Sequence, residues 1–201
     1  FRITLVFAFA LAMIESLIGI LTGSIGGFFG GTIDIIAQRL IEIWSSIPSL
    51  YALIFIFSVF TPSPWLILMV LALFGWMTPQ ALVRVEFLKS RNLEYVKAAR
   101  ALGVRPARIM LRHILPNALT MVFTRFPFSI AGGATVLVSL DFLGLGVPPP
   151  NPSLGELLKQ ALGNLNAWWI GLPTFLVLIA ILVFVTFIGE AILDIFDPKR
   201  S

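Results

Sequence analysis

Cysteine is absent from this chain of 201 residues, so neither a disulfide nor a thiolate metal site is open to it. Histidine occurs once, at His113, which leaves no Ser-His-Asp set and no second imidazole for a metal. His113 therefore reads as a helix-surface or interface residue, neither ligand nor proton relay. With no thiol and no carboxylate pair that has a reason to be held away from water, the chain carries no catalytic constellation. Charge is scarce too: 12% of residues are charged and 58% are hydrophobic. A water-soluble domain of this length needs more polar surface to cover its core, so this is a membrane chain. The stretch GSIGGFFGG has the glycine content of a phosphate loop, but no strand precedes it and no Gly-Lys-Ser/Thr follows, which argues against nucleotide binding there. The opening FRITLVFAFALAMIESLIGI lacks the basic leader and small-residue cleavage site of a signal peptide, and Phe1 is read as an internal start.

What the sequence has in abundance is apolar runs. A helix crossing roughly 30 Å of hydrocarbon needs about 20 residues, and five stretches qualify, near Ile3–Gly23, Ile43–Phe60, Trp65–Val83, Ala118–Leu140 and Trp168–Leu193. The second continues an amphipathic helix that begins near Thr32, and Pro48 is expected to kink it. The fold class expected is all-α, a polytopic helical membrane protein with 1–201 as a single transmembrane domain. TPSP at 61–64 is a tight turn, and a long loop spans 141–169. Within that loop Ser153 and Glu156 fit a capping box opening a short helix, Leu154–Leu165, and Trp168 and Trp169 suit a membrane interface.

Orientation follows from the cations. Eight of the fourteen Lys and Arg residues lie between Arg84 and Arg112, and Lys199 and Arg200 close the chain. Both segments are expected to be cytoplasmic, which puts the 141–169 loop, with Lys159 as its only cation, outside.

The basic concentration peaks in EYVKAARALGVRPARIMLRHILPN, which is too polar to span and too basic for a buried turn. Asn92 is placed to cap a helix over Leu93–Leu102, with Glu94 in its first turn and Ala98, Ala99 and Ala101 keeping it slim. Gly103 is expected to end it in a left-handed conformation. Pro106 then suits the start of a second helix. Its apolar stripe is Ala107, Met110, Leu111 and Ile114, while Arg105, Arg108 and Arg112 recur on another face. Such a surface serves to hold orientation against anionic lipid or to dock in a protein cleft. A lipid-bound helix has no need of a small Ala-rich face followed by a tight Gly turn, which favours the cleft. Nucleic acid is a poor third, because no stacking aromatics are interleaved.

These residues resemble the EAA loop of the integral membrane subunits of ATP-binding-cassette importers. That pattern is Glu-Ala-Ala, three residues, Gly, nine residues, then Ile-x-Leu-Pro. Here Lys97-Ala98-Ala99 precedes Gly103 at that spacing and Leu115-Pro116 closes it, with Lys97 in place of Glu and His113 in place of Ile. Both departures, together with RLIEIWSSIPSLYAL, DFLGLGVPPPNPSLGELL and GEAILDIFDPKR, resemble the dipeptide and oligopeptide branch. Leu154, where the branch usually has Trp, and Glu190, where it usually has Asp, point to an oligopeptide or microcin-type subgroup.

The resemblance implies the permease core of a type I importer in the bacterial inner membrane, forming half of a peptide pathway. The partners implied are a homologous second permease, two cytoplasmic ATPases that carry the ATP and Mg, an extracytoplasmic peptide-binding protein and membrane lipid. No cofactor is expected on this chain. Residues 90–116 become the coupling loop, with Glu94, Lys97, Ala98, Ala99, Gly103, Arg105, Arg108, His113, Leu115 and Pro116 as its ATPase-coupling positions. By family analogy Ala98, Ala99 and Gly103 make the close contact. The 141–169 loop is expected to meet the binding protein or cover the pathway.

Other features stand outside that pattern. Gly19, Gly23, Gly27 and Gly31 form a ladder that lets helices approach closely, either structurally or at a permease–permease seam. Glu15 and Arg125 lie within spans, where ionisable groups are costly. They are candidates for pairing with each other, for pairing with a partner chain, or for contact with substrate. Glu190, Asp194 and Asp197 gather near the last cytoplasmic end. An ion-coupled secondary carrier should show several intramembrane acids and internal repeats, and here Glu15 is the clear acid deep in a span. A permease for another small solute and a non-transporting scaffold are the remaining alternatives.

Overall fold

The computed structural model describes residues 1–148 and 151–196, the last by its backbone alone. The described elements are helical: α1 (Arg2–Phe29), α2 (Gly31–Ser45), α3 (Ser49–Val59), α4 (Pro64–Gly75), α5 (Met77–Ser90), α6 (Glu94–Ala101), a short α7 (Pro106–Arg108), a π-helical turn (Ile109–Ile114), α8 (Leu115–Phe142), α9 (Leu154–Gly163) and α10 (Trp168–Phe196). Four stretches are long and apolar enough to cross a membrane: Arg2–Phe29, Pro64–Ser90, Pro106–Phe142 and Trp168–Ile195. A fifth is reached when α2 and α3, broken around Pro48, are counted as one span. Pro48 caps α3 with φ −65°, so the break expected there is present.

The chain divides into two compact units. The first comprises Phe1–Met13, Pro48–Leu73 and Arg125–Ser201. Its α9 folds back on α10, with Leu154, Val138 and Ile181 sharing a core to which Leu178 and Val185 add their side chains. Ser153 caps α9 by accepting the Glu156 N–H at 3.1 Å, as expected of its hydroxyl. The Glu156 carboxylate accepts from Gln160 Nε2 at 3.2 Å instead of reaching back to complete the box, and the helix stops at Gly163, short of Leu165. The loop also starts later than expected, because α8 carries on through Phe142. The helix ends where Gly144, at φ 77°, turns left-handed and the Leu145 N–H reaches the Leu140 carbonyl at 2.8 Å.

The second unit comprises Ile14–Ile47 and Phe74–Thr124. Its core joins Phe28 of α1, Val83 and Phe87 of α5, Val96 and Ala99 of α6, and Ile109, Ile114, Ala118 and Val122 beyond. The glycine ladder explains how α1 and α5 come so close. A Cβ on Gly19 would meet Gln80 N at 2.7 Å, one on Gly23 would meet the Gln80 carbonyl oxygen at 2.5 Å, and one on Gly27 would meet the Arg84 carbonyl oxygen at 2.6 Å. The ladder is thus a seam within the chain. Gly31 leaves the ladder, since with Gly30 it turns the corner between α1 and α2 at φ 55° and 62°.

Gly27→Ala should therefore force α1 and α5 apart and cost about 1–3 kcal/mol. Gly132→Ala, where the new Cβ meets nothing within 4 Å, should leave stability equal or higher. Thermal unfolding of the two variants in detergent, measured against the parent, checks this.

Candidate functional site

The segment that follows α5 is built by local rules. α5 ends at Ser90, whose buried hydroxyl donates to Glu86 Oε1 at 3.0 Å. Asn92 does not cap the next helix. Its Nδ2 donates backward to the Leu88 carbonyl at 3.2 Å, closing α5, while α6 begins at Glu94 after Leu93 with no side-chain cap. The reason is the shortness of the connection. Few residues separate the helices, and the amide sits nearer the unpaired carbonyls of α5 than the first N–H groups of α6.

α6 presents two faces. Val96 and Ala99 are buried in the unit's core, whereas Glu94, Lys97 and Ala98 are exposed. Within this chain Ala99 packs into the core, whereas Ala98 is exposed on the opposite face. Lys97 Nζ and Glu94 Oε1 pair at 2.9 Å on the surface, worth little in water but enough to leave the outer face near neutral. α6 ends in a Schellman turn: the Val104 N–H reaches the Ala99 carbonyl at 3.1 Å and the Gly103 N–H reaches the Arg100 carbonyl at 3.0 Å. Gly103 sits at φ 73°, so the left-handed conformation expected of it is present. A Cβ there would meet nothing within 4 Å, so conformation alone demands the glycine.

The turn leaves Leu102 83% exposed at its tip. Beside it a polar concavity is lined by Leu102, Gly103, Val104, Arg105 and Arg108. Arg105 and Arg108 are exposed, and among the described residues no ion pair is recorded for either. Pro106 occupies the first turn of α7, as its fixed φ favours.

The helix beyond keeps half of the expected stripe, with Ile114 buried and Met110 packed against the core, and departs from it at Ala107 and Leu111. Ile109 and Ile114 are the buried residues, at 1% and 0% exposure, while Leu111 is 65% exposed and Ala107 also faces out. The expected stripe assumed 3.6 residues per turn. The π-helical turn over Ile109–Ile114 closes five residues apart, which brings Ile109 and Ile114 to one face. Pro116 explains its position: the proline offers no N–H to the Arg112 carbonyl and its ring crowds that oxygen, so the turn ahead of it widens. His113 is half-buried, with its backbone carbonyl 3.5 Å from the Tyr95 hydroxyl. Leu115 packs against the core and Pro116 is exposed.

Elsewhere, Glu15 is half-buried with its carboxylate packed over Gly75, so closely that any side chain there would overlap it. Arg125 is exposed on α8. Glu190 and Asp194 are exposed on α10, and Asp197 lies outside the described residues. Three polar features escaped sequence reading. Arg84 forms a two-pronged ion pair with Asp34, Arg100 stacks over Phe28 at 5.0 Å, and Asp141 accepts the Val147 N–H at 2.7 Å. The signal for the first was present: an Asp set among the isoleucines that open α2 and an Arg set between two valines of α5 each need a partner.

Residues 15–201 match the family described as binding-protein-dependent transport system inner membrane component. The chain belongs to that family. It is therefore a multi-pass inner-membrane protein with the permease fold. It is 47% identical, over 201 residues, to the peptidoglycan transport system permease protein YejE of Agrobacterium fabrum. Against the inner membrane ABC transporter permease protein YejE of Escherichia coli the identity is 46% over 200 residues. It covers 53% and 59% of those two relatives, so it spans little more than half their length. Bacillus subtilis oligopeptide transport system permease protein OppC is 32% identical over 200 residues, 65% of its length. Among solved structures, the inward-facing MetNI methionine ABC transporter superposes with a TM-score of 0.75 at 18% identity, covering 95% of this chain and 91% of that one. An amino acid ABC transporter superposes with a TM-score of 0.67 at 16% identity, covering 99% and 91%. These two likenesses establish that the family member has the fold of a type I importer membrane subunit.

Proposed function

We propose that the chain is the transmembrane subunit of an ATP-driven peptide importer and that residues 90–116 are its docking surface for an ATPase. One observation carries the second half of this reading. The Gly103 turn holds Leu102 outward next to the Arg105 and Arg108 guanidiniums, neither of which has an ion-pair partner among the described residues, and Ala98 is exposed on the helix before it. An apolar tip set between cations fits a protein cleft with a hydrophobic floor and an acidic rim. The peptide substrate is supported by the names of the relatives, several of which are oligopeptide or dipeptide permeases. In this reading the chain is non-catalytic and binds no nucleotide. ATP and Mg reside on two ATPase partners, a second permease completes the pathway, and a peptide-binding protein meets the outer loop over 141–169.

Rocking between two arrangements then performs transport. The ATPases bind one arrangement better with ATP and the other after hydrolysis, and the difference in affinity moves the equilibrium. Purification of the full-length protein from cells should bring down ATPase subunits, and vesicles carrying the assembly should take up peptide when ATP is supplied. Uptake that follows an ion gradient without ATP would instead establish a secondary carrier, and none at all would establish a scaffold.

The orientation makes a separate prediction, since the chain has no cysteine of its own. An impermeant thiol reagent applied to intact spheroplasts should label Gln160→Cys and spare Arg105→Cys, and permeabilisation should expose the latter. The reverse pattern would invert the topology.

A further inference from the structure

α2 is held to its unit in an unusual way. Its one buried residue is Asp34, while Ile33, Ile35, Ile36 and Ile43 are 53%, 60%, 55% and 68% exposed. A helix normally seats an apolar stripe, and this one seats a carboxylate. Arg84 Nε donates to Asp34 Oδ1 at 2.5 Å and its second guanidinium nitrogen donates to Oδ2 at 2.6 Å. The side chains are only 24% and 11% exposed, so the pair is shielded from screening. The pairing bridges fifty positions of sequence, from the first turn of α2 to the middle of α5.

The two partners belong to differently held parts of the unit. Arg84 lies on α5 between Val83 and Phe87, which share a packed core with Val96 and Ala99 of α6, and Arg100 of α6 stacks on Phe28. α5, α6 and the Gly103 turn are therefore held on one packed core, which also takes in Phe28 of α1. α2 leaves α1 through Gly30 and Gly31, two successive residues at positive φ, and the Gly30 backbone lies against the Arg91 guanidinium. Trp44 of α2 also stacks on Phe74 of α4 at 5.7 Å, while the Asp34–Arg84 ion pair joins α2 to α5 directly.

We propose that the Asp34–Arg84 ion pair is the transmission contact of this subunit, passing displacement of the α5–α6 body to α2 so that ATP hydrolysis moves the pathway helices. Asp34 and Arg84 are positioning residues, touching neither nucleotide nor peptide. The inference rests on the docking reading of the Gly103 turn, and its test keeps the two apart by scoring ATPase attachment separately from transport.

The experiment uses the full-length protein in its complete assembly, reconstituted in vesicles, with ATP hydrolysis and uptake of a labelled oligopeptide measured together. Asp34→Asn and Arg84→Lys each remove the two-pronged geometry with little change of volume. Both should retain parental ATPase co-purification, while peptide moved per ATP falls by about tenfold or more, within the range typical of coupling between sites. The exchanged pair Asp34→Arg/Arg84→Asp should recover part of that ratio. Arg39→Ala, which breaks an exposed pair with Glu42 on the same helix, should keep the parental ratio. Parental transport per ATP in both single variants would overturn the proposal. So would loss of ATPase attachment in Asp34→Asn, which would make the pair a support of the docking surface. Wild-type vesicles that hydrolyse no ATP would instead refute the docking reading itself.

Discussion

Ala98→Arg and Gly103→Val should each abolish ATPase attachment while leaving the membrane spans intact. Ala98 is exposed on a helix whose opposite face is packed into the core, so an arginine there adds bulk and charge outside the fold and disturbs nothing within it. Gly103 acts differently. At φ 73° a β-branched side chain is strained by about 1–3 kcal/mol, although no atom stands in its way. The turn will open, and Leu102 and Arg105 will leave the positions that define the tip. Both variants should insert and express as the parent does, and both should lose ATPase co-purification and peptide-stimulated hydrolysis. Lys159→Ala, on the 141–169 loop, should lose neither. If the segment only anchored to anionic lipid, Ala98→Arg would be harmless or would strengthen membrane binding.

Asp141→Ala should loosen the outer loop without touching the docking surface. Asp141 is 3% exposed, and its Oδ1 accepts the Val147 N–H at 2.7 Å, which fixes the chain just after the left-handed turn at Gly144. Gly146 lies so close that a Cβ on it would overlap the carboxylate, and one on Gly155 would overlap the Asp141 Cβ and the Val138 carbonyl oxygen. Removing the acceptor leaves a buried N–H unpaired, at about 1–3 kcal/mol. Val147→Cys, in the parent background, is buried and should react slowly with an impermeant thiol reagent. With Asp141→Ala added, its labelling should accelerate by about tenfold or more, in proportion to the opened population. Peptide uptake should fall and ATPase attachment should not. Asp141→Asn keeps an oxygen acceptor and should label at close to the parental rate. Equal labelling of all three would remove Asp141 from the account of the loop.

Local chemistry was readable in the sequence wherever a residue acts on its own neighbourhood. Gly103, Pro106 and Ser153 each occupy the position their conformational or hydrogen-bonding preference dictates. Four of the apolar runs are continuous spans, and the fifth breaks at the proline that marks it. What failed depended on competition or on distance. Asn92 had two helices to serve and closed the one behind it. Of the stripe beyond Pro106, Met110 and Ile114 face the core but Ala107 and Leu111 do not, because the period itself changes over Ile109–Ile114, and a proline two residues past that turn is a faint warning of it. The glycine ladder was legible as a site of close approach, but which helix approaches is decided by packing against α5. The Asp34–Arg84 pair joins residues far apart in the chain, and only the fold brings them together.

The central claim is that the Gly103 turn sits in an ATPase cleft, and proximity tests it most directly. Leu102 is exposed at the tip and these 201 residues contain no cysteine, so Leu102→Cys can carry a short photoreactive crosslinker in the full-length protein, freed of any cysteine elsewhere and co-expressed with its ATPase subunits. Irradiation of membranes should yield one dominant adduct at the combined mass of permease and ATPase, lost when Ala98→Arg is added. Gln160→Cys, carrying the same reagent, should yield none. Crosslinking of Leu102→Cys to lipid alone, with the ATPase present and active, would contradict the account.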